Sequence, residues 1–508
     1  MEITRSYVSR RTLLTTVIVG AAEAAVGCQR ERQHAAPSAK PSAAPDPAPR
    51  ARVNGENFSQ PHSKRDGKQF PKVEVKESCE VAIIGGGPSG LYAAHLLKNR
   101  DVLLLEKEGR LGGNCSTDSW QGVQFSTGAA FFSEGDTELV ELMREIGAPG
   151  LPIAGTDALI VKGEPYFDFF GAGAARLPFP DKVKSDFQRS AEHAQKLKQR
   201  HDSRELDART FADVLREFVP EVKQFWDRYG ASNWGAETEH TSARLGVHAY
   251  SWLIGVEKRL SYAGGLGVGA LALGRWVESK LPGRLRLGSF VHQVELEPGK
   301  AGGVRVHALV NGEPHTIRAR SVILAVPKFF AARIVQDLTS EQRLAMSAFR
   351  YAPYPVFNLC LNGRGPQPAY DNWFMDAPFA DFIPADWVLH AGKAPSDAKS
   401  ALTVYHPLPE TRRSELLDDP RLVDMADDVV EHLNRHFPGV KKLAAEIRVF
   451  RRGHALAIPT PGQLDRAGLA TRAHGRIFFA HSDSRGDVSS FPGALRAARS
   501  AVEALPRG

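Results

Sequence analysis

The sequence predicts an α/β fold, in which a Rossmann-type dinucleotide-binding domain with a mixed sheet is interrupted by an inserted α+β domain. Three observations support this. An apolar β run ends in a glycine cluster that opens a helix, in the stretch Val81–Gly90. Residues 284–327 form short β segments that end in the apolar run Val322–Pro327. Between these regions, the sequence pattern of residues 150–256 predicts helical segments rich in aromatic side chains.

The composition indicates a large globular protein. The chain has 508 residues, of which 42% are hydrophobic, and this is enough for two or three domains. Its net charge is +7, but residues 1–76 hold 13 Lys and Arg against 7 Asp and Glu, so they contribute +6 and the remainder about +1. We therefore expect no nucleic-acid partner. Four widely spaced cysteines exclude a disulfide framework or a zinc ribbon as the basis of the fold: Cys28, Cys79, Cys115 and Cys360.

The first residues are typical of an export signal. Ser9–Leu14 resembles a twin-arginine motif, and a short apolar run follows it up to Ala22. Cys28 comes after small residues, as in a lipoprotein signal, so a membrane tether through a lipidated Cys28 stays open. We predict an exported, periplasmic protein with a signal over residues 1–28. Residues 29–71 are rich in Ala, Pro, Ser and charge, and they are predicted to be a flexible linker.

The glycine cluster predicts a dinucleotide-binding turn. Gly85 permits a sharp turn, Gly87 lets the backbone approach a pyrophosphate, and Gly90 allows close packing of helix on strand. The helix that begins at this point offers free N–H groups and a positive dipole end to the phosphates. A second strand, Val102–Leu105, ends at Glu106, at the separation of about 20 residues expected of a ribose ligand. The nucleotide could be NAD or FAD on this evidence.

The next segment favours FAD. Arg110, Gly112 and Gly113 resemble the R-x-G-G extension of flavoproteins similar to amine oxidases, protoporphyrinogen oxidases and phytoene desaturases. The C-terminal strand and helix, Arg476–Asp483 and Phe491–Leu505, resemble the end of the same superfamily. The resemblance implies a glutathione-reductase-like FAD domain. It also implies a set of FAD-binding residues: Gly85, Gly87, Pro88, Ser89, Gly90, Glu106, Lys107, Arg110, Gly112, Gly113, Gly128, Val291, Asp483 and Phe491.

Two stretches depart from the superfamily pattern. His481-Ser482 replaces the usual glycine at the end of the C-terminal strand and shifts the acid by one position, to Asp483. The strand Arg350–Asn362 lacks the lysine that well-known amine oxidases carry there, and it looks more like the strand of protoporphyrinogen oxidases and desaturases. Tyr354 on this strand and His454 in a later loop are the candidate catalytic residues. His432 and His436 lie at i, i+4 without a third ligand, so we expect no metal site.

The sequence thus predicts an exported FAD-dependent oxidoreductase. It would oxidise a small or apolar substrate, at an amine or a C–C bond, by hydride transfer to flavin N5, with O₂ or another electron acceptor as the second partner. A flavin-dependent isomerase or mutase and a non-enzymatic, FAD-stabilised binding lipoprotein are the alternatives. The predicted FAD-binding domain comprises residues 72–150, 261–345 and 456–508, and the predicted substrate domain comprises residues 151–260 and 346–455.

Overall fold

The computed structural model describes residues 51–506, except 201, 254–257, 300–301, 394 and 396. Its first sheet, which we call the nucleotide sheet, has seven strands. Parallel pairing joins the strands that carry the glycine turn and its neighbours: Leu285–Arg286, Val102–Leu105, Val75–Ile84, Glu313–Leu324 and Ile477–Phe479. An antiparallel meander, Ser289–Leu296, Val304–Val310 and Glu313–Leu324, completes it. The mixed sheet and the overall α/β class are as predicted.

The strand Val75–Ile84 has side chains buried on both faces of the nucleotide sheet. Val81 and Ile83 pack against one group of helices, whereas Ala82 and Ile84 pack against another. Successive side chains of a strand point to opposite faces, so both faces need a helical cover. The first group comprises Pro88–Leu96, Thr137–Glu145, Leu266–Lys280 and Phe491–Glu503. The second comprises Lys328–Ile334, Ser340–Ser347 and Gln463–Ala470.

A second sheet has eight strands. Their spatial order is Ala51–Gly55, Ala444–Arg451, Val356–Leu361, Ser400–Tyr405, Asp381–Pro384, Asn372–Phe374, Ala158–Val161 and Glu164–Phe167. The helix Asp419–His436 covers one face, because Leu422, Met425 and Val429 pack on Phe357 and Leu359. Antiparallel pairing of Asn372–Phe374 with Asp381–Pro384 places Trp373 opposite Asp381.

Helices and aromatic side chains fill the region before residue 254, as predicted. The helices are Asp181–Arg200, Ser203–Asp207, Phe211–Leu215, Pro220–Trp234 and Ala243–Leu253. Phe187, Phe211, Phe225 and Trp226 are buried in one cluster, so most of the predicted aromatic roof is core. The remaining short elements are the strands Thr117–Trp120, Val123–Ser126, Phe132–Ser133, Leu151–Pro152, Arg259–Ser261, Tyr351–Ala352 and Leu456–Ala457, the helices Trp387–His390 and Val440–Leu443, and the 3₁₀ turns Ala172–Arg176, Glu410–Leu417 and Ser482–Arg485. Within the described ranges, no helix has both the length and the apolar character needed to cross a bilayer.

Part of the predicted linker is structured, which corrects the interpretation of residues 51–71. Ala51–Gly55 pairs in parallel with Ile447–Arg451, and the helix Ser59–Arg65 follows it. The backbone N–H of Asn57 donates to Glu108 Oε1 at 3.0 Å, and the Arg451 guanidinium lies 5.0 Å from the Phe58 ring centre. We call residues 51–65 the N-terminal strap. Its helix buries no residue completely, and this explains why no apolar periodicity revealed it.

Candidate functional site

A cavity of about 840 Å³ is lined by residues of the glycine turn, the second sheet and the N-terminal strap. Most of the predicted site residues reach it: Gly85, Gly87, Pro88, Ser89, Glu106, Lys107, Arg110, Gly113, Gly128, Val291, Tyr354, His454 and Phe491. Three predicted residues are not among its lining, namely Gly90, Gly112 and Asp483. The structure therefore brings together residues that are about 400 positions apart in the sequence.

The glycine turn has the geometry that the motif requires. Gly85 has φ +110°, and a Cβ there would lie 2.6 Å from the carbonyl oxygen of Ala325. A Cβ on Gly90 would lie 1.8 Å from the carbonyl oxygen of Gly85, so Gly90 allows the helix to approach the strand and does not itself face the cavity. The helix Pro88–Leu96 begins here with Pro88 at its first position.

Glu106 ties the turn to the next strand. Its carboxylate accepts from the backbone N–H of Gly86 at 2.6 Å and of Glu108 at 2.8 Å. Burial raises the pKa of this carboxyl, and the two backbone N–H groups oppose that rise. The neighbouring Lys107 pairs with Glu108.

The R-x-G-G loop is bonded to the same turn. The N–H of Gly112 donates to the Gly86 carbonyl at 2.9 Å, and Arg110 Nη1 donates to the Gly113 carbonyl at 3.0 Å. Gly112 has φ +101°, and a Cβ there would lie 2.4 Å from the carbonyl oxygen of Cys115. Gly112 therefore shapes the loop, while Gly113 lines the cavity.

Asp483 lies behind the cavity wall. Its carboxylate accepts from Lys328 Nζ at 2.7 Å, from the Lys328 backbone N–H at 2.9 Å and from the Tyr351 hydroxyl at 2.6 Å. The Lys328 and Asp483 side chains are both fully buried. His481 and Ser482, which precede the acid, line the cavity instead. The one-residue shift seen in the sequence thus turns the carboxylate toward the protein interior.

The two candidate catalytic residues lie in the cavity wall. His454 stacks on Phe329 with ring centres 4.2 Å apart, and burial lowers its pKa to about 3, so it is neutral at physiological pH. The Tyr354 hydroxyl donates to the Ser232 carbonyl at 3.1 Å and lies 2.9 Å from Ser232 Oγ. Burial raises the pKa of Tyr354 well above its ordinary value. The Tyr354 hydroxyl is therefore neutral and its orientation is fixed. The rings of Tyr354 and Tyr405 pack edge to face, with 6.2 Å between ring centres.

A pair of buried carboxyl groups, Asp371 and Asp381, lines the same part of the cavity. Ser232 Oγ donates to Asp381 Oδ1 at 2.7 Å, whereas Asp371 Oδ1 has no hydrogen-bond partner within the described residues. Burial raises the pKa of Asp381 to about 7, and burial together with the Asp381 charge raises that of Asp371 well above its ordinary value. With a pKa of about 7, Asp381 is about half ionised at neutral pH, and we call these two carboxyl groups the acid pair.

The charges nearest the acid pair are those of Arg259 and Asp157, of which the first lowers and the second raises the pKa of Asp371. Arg259 is the nearby guanidinium, but it is bonded to Asp157, with Nη1 3.1 Å from Asp157 Oδ2. No lysine or arginine of the described chain lies within 4.0 Å of either acid-pair carboxylate. Tyr354, Trp373 and Tyr405 line the wall beside the pair. Aromatic rings and an uncompensated negative charge are together a site for an organic cation.

A further cavity residue, Arg452, is a buried cation. Its guanidinium donates to the Thr127 carbonyl at 2.9 Å and to Ser116 Oγ at 2.5 Å, and burial lowers its pKa to about 10. It lies beside Gly128, where a Cβ would be 3.5 Å from Arg452 Nε. Among the described residues this guanidinium has no carboxylate within ion-pair distance, and such a buried cation favours a bound anion or an electron-rich ring in the cavity.

Sequence reasoning missed Asp371, Asp381, Arg452 and the role of His481. Asp371 and Asp381 occur ten positions apart in an aromatic stretch, and only the antiparallel pairing of their strands makes them neighbours. Their one sequence signal is the presence of acids in a largely apolar segment, which also contains Asp376. A potential metal-binding group within the described ranges, Asp227, Glu237 and Glu239, is away from the cavity, and Lys223 Nζ lies 2.8 Å from two of these acids.

The residues present fit FAD, the cofactor that the resemblance implies. Gly87 and Gly113 face each other at the start of the helix, and a Cβ on Gly113 would lie 3.2 Å from Gly87 Cα. These glycines leave the backbone bare at the helix N-terminus, where a pyrophosphate binds. Glu106 lines the adjoining wall as a buried carboxylate suited to ribose hydroxyls.

Comparisons with known proteins agree with this geometry. The family model described as flavin containing amine oxidoreductase matches residues 88–506. Protoporphyrinogen oxidase 2 of Arabidopsis thaliana is 33% identical over 78 residues, which are 15% of this chain and 15% of that protein. The match therefore spans far less than two thirds of this curated relative.

Solved structures share the fold over almost their whole length. Putrescine oxidase bound to putrescine superposes with a TM-score of 0.66 at 19% identity, covering 85% of this chain and 99% of that one. Cyclohexylamine oxidase of Brevibacterium oxydans IH-35A has a TM-score of 0.65 at 20% identity, with 84% and 98% covered. At these identities the likeness shows the fold.

Proposed function

Because this chain belongs to the family of flavin-containing amine oxidoreductases, whose cofactor is FAD, we propose that it oxidises a small amine by hydride transfer to flavin N5. The choice of an amine depends on the acid pair Asp371 and Asp381, which lines the cavity and forms no ion pair with a lysine or arginine of the described residues. An ammonium group would supply the missing positive charge. The solved putrescine and cyclohexylamine oxidases of the same fold support this choice.

The chain's own residues would bind and orient the amine. The acid pair holds the ammonium group, and the rings of Tyr354 and Tyr405, tilted at 82° to each other, flank the carbon chain. The hydroxyl of Tyr354 is already bonded to Ser232, so the ring is fixed before substrate arrives. Bound FAD supplies the acceptor for the hydride that leaves the carbon next to nitrogen, and O₂ or another acceptor restores it.

The acid pair also provides a place for the proton that the amine must lose. A hydride leaves a carbon more readily when the neighbouring nitrogen is a neutral amine, because its lone pair stabilises the cation that forms. With a pKa of about 7, the Asp381 carboxylate can accept one ammonium proton near neutral pH. Ser232 Oγ, which donates to Asp381 Oδ1, holds that carboxylate in place.

Dehydrogenation of a C–C bond is the second candidate. The strand Val356–Leu361 and the residues before it contain no lysine, in contrast to well-known amine oxidases, and a protoporphyrinogen oxidase is among the relatives. A substrate that is oxidised at a C–C bond offers no positive charge for the acid pair to bind. The two candidates therefore differ in whether flavin reduction depends on Asp381.

An anaerobic screen tests the proposal. Purified holoprotein is mixed with monoamines, diamines and partly saturated ring or polyene compounds, and loss of the visible flavin absorbance is followed. We expect amines to reduce the flavin in the wild type and in Asp376→Asn, an exposed control in the same hairpin, but far more slowly in Asp381→Asn. Reduction by the ring or polyene compounds alone, unaffected by Asp381→Asn, would establish the second candidate instead.

We also propose that the protein is exported, with the twin-arginine-like segment Ser9–Leu14 as its signal and Cys28 as a candidate lipid anchor. Both lie outside the described residues. Cell fractionation after Arg10→Lys together with Arg11→Lys tests export, because this change should retain the protein in the cytoplasm. Mass spectrometry of the exported protein would show whether Cys28 carries a lipid.

A further inference from the structure

His481 occupies the position where the nucleotide-binding turn meets the end of the chain. It follows the strand Ile477–Phe479, and the carbonyl of the preceding Ala480 accepts a hydrogen bond from Ser89 Oγ. Ser89 is in the first turn of the helix Pro88–Leu96. His481 lines the cavity together with Ser89 and with Phe491, the first residue of the last helix. Two helix N-termini therefore reach the cavity close to this imidazole.

Asp483 holds the imidazole in one orientation. His481 Nδ1 accepts a hydrogen bond from the backbone N–H of Asp483 at 3.4 Å, and the same nitrogen lies 3.0 Å from Asp483 Oδ2. The carboxylate is fixed in turn by Lys328 and Tyr351, as described above. Its pKa is held far below the ordinary value, against the effect of burial, by His481 and Lys328. Asp483 is thus a permanent anion that cannot itself reach the cavity.

The other ring nitrogen is available to a ligand. Nε2 of His481 has no hydrogen-bond partner within the described residues, and the side chain is 22% exposed, toward the cavity. A helix N-terminus attracts anions through its free N–H groups and its dipole. An imidazole that is held through Nδ1 can donate its Nε2–H to an anion bound at such a site.

We propose that His481 binds the diphosphate of FAD through Nε2, and that Asp483 acts through it as a positioning residue. The chain thereby replaces the direct contact of the strand-end acid, which the one-residue shift has moved into the interior. This inference rests on FAD as the cofactor but not on the amine substrate, so its test involves no substrate.

Affinity measurements with FAD and with riboflavin test the contact. Apoprotein is prepared from the full holoprotein, and binding is followed by quenching of flavin fluorescence. Because a charge-assisted hydrogen bond is lost, we expect His481→Ala to raise the Kd for FAD at least tenfold and to leave the Kd for riboflavin, which has no diphosphate, unchanged. Equal weakening of both ligands, or no change for FAD, would overturn the proposal.

The variant His481→Gln separates the hydrogen bond from a structural role of the imidazole. Other polar groups near His481 are Asp483, Lys328 and Tyr351 behind it, and Arg496 and Asp487 also line the cavity. Of these, Asp487 is paired with Arg244 at 2.9 Å. Because the Gln amide can donate to a phosphate oxygen, we expect His481→Gln to recover part of the FAD affinity that His481→Ala loses and to melt at the wild-type temperature. An FAD affinity of His481→Gln as weak as that of His481→Ala would contradict the assignment.

Discussion

Replacement of Asp381 by Asn should stabilise the protein at neutral and alkaline pH. The pKa of this carboxyl rises from 3.8 to about 7 in the folded chain, mainly because of burial. Each unit of pKa shift corresponds to about 1.36 kcal/mol. Between pH 4 and pH 7 the Asp381 carboxyl is ionised in the unfolded chain but not in the folded chain, so the free energy of unfolding falls by roughly 4 kcal/mol over this range. Above pH 7 the Asp381 carboxyl is ionised in both states, and the free energy of unfolding falls no further.

The Asn side chain keeps the shape and the acceptor for Ser232 Oγ but carries no charge. We therefore expect Asp381→Asn to melt close to the wild type at pH 4 and several degrees higher at pH 8. Melting temperatures of the holoproteins from pH 4 to pH 8, with loss of flavin-binding or circular dichroism as the signal, measure this difference.

Asp376→Asn is the matched control, because Asp376 is in the same hairpin but its side chain is 60% exposed. Its melting temperature should follow the wild type at every pH. A difference between Asp381→Asn and the wild type that stays constant across this range would refute the link between burial of the Asp381 charge and stability. A variant that becomes less stable as pH rises would refute it as well.

Three further changes follow from the site. Below pH 7 the Asp381 carboxylate becomes protonated, so kcat/KM for an amine that is fully protonated in solution over this range should fall about tenfold for each further unit of acidity, and Asp381→Asn should lack this limb. Glu106→Ala leaves the buried N–H of Gly86 unpaired, which costs about 1–3 kcal/mol, and also removes the acceptor of the partly buried Glu108 N–H; the purified protein should contain much less flavin than Glu108→Ala. Gly90→Ala places a Cβ 1.8 Å from the Gly85 carbonyl oxygen and should yield insoluble protein, whereas Gly109→Ala, whose Cβ meets no atom within 4 Å, should fold and bind flavin normally.

The sequence was most informative where local pattern determines structure. The strand Val81–Ile84 is apolar on both faces and is followed by glycines. A buried parallel strand and a dinucleotide-binding turn could therefore be inferred from the sequence alone. Glu106 could be assigned because its spacing from Gly85 corresponds to one turn, one helix and one strand. These features are local, because the interactions that determine them lie within about 25 residues of the sequence.

Residues brought together by long-range pairing were harder to infer. The acid pair exists because Asn372–Phe374 and Asp381–Pro384 align with one particular register, and a shift of one residue would move Asp381 to the other face. For Asp483, the sequence revealed the one-residue shift, but the direction of its side chain depends on Lys328, about 150 residues earlier. The N-terminal strap went unrecognised because only Ala51 and Val53 pack on the apolar core and its helix buries no residue completely.

The N-terminal strap has a consequence for the solubility of shortened chains. The eight-residue strand Ala444–Arg451 pairs with Val356–Leu361 on one side and with the strap on the other. A chain that begins at residue 72 would expose the free hydrogen-bonding edge of this strand, and long exposed edges recruit strands of other molecules into aggregates. The strap replaces that edge with one of only five residues, on which Arg52 is exposed. It thereby protects the second sheet against edge-to-edge association.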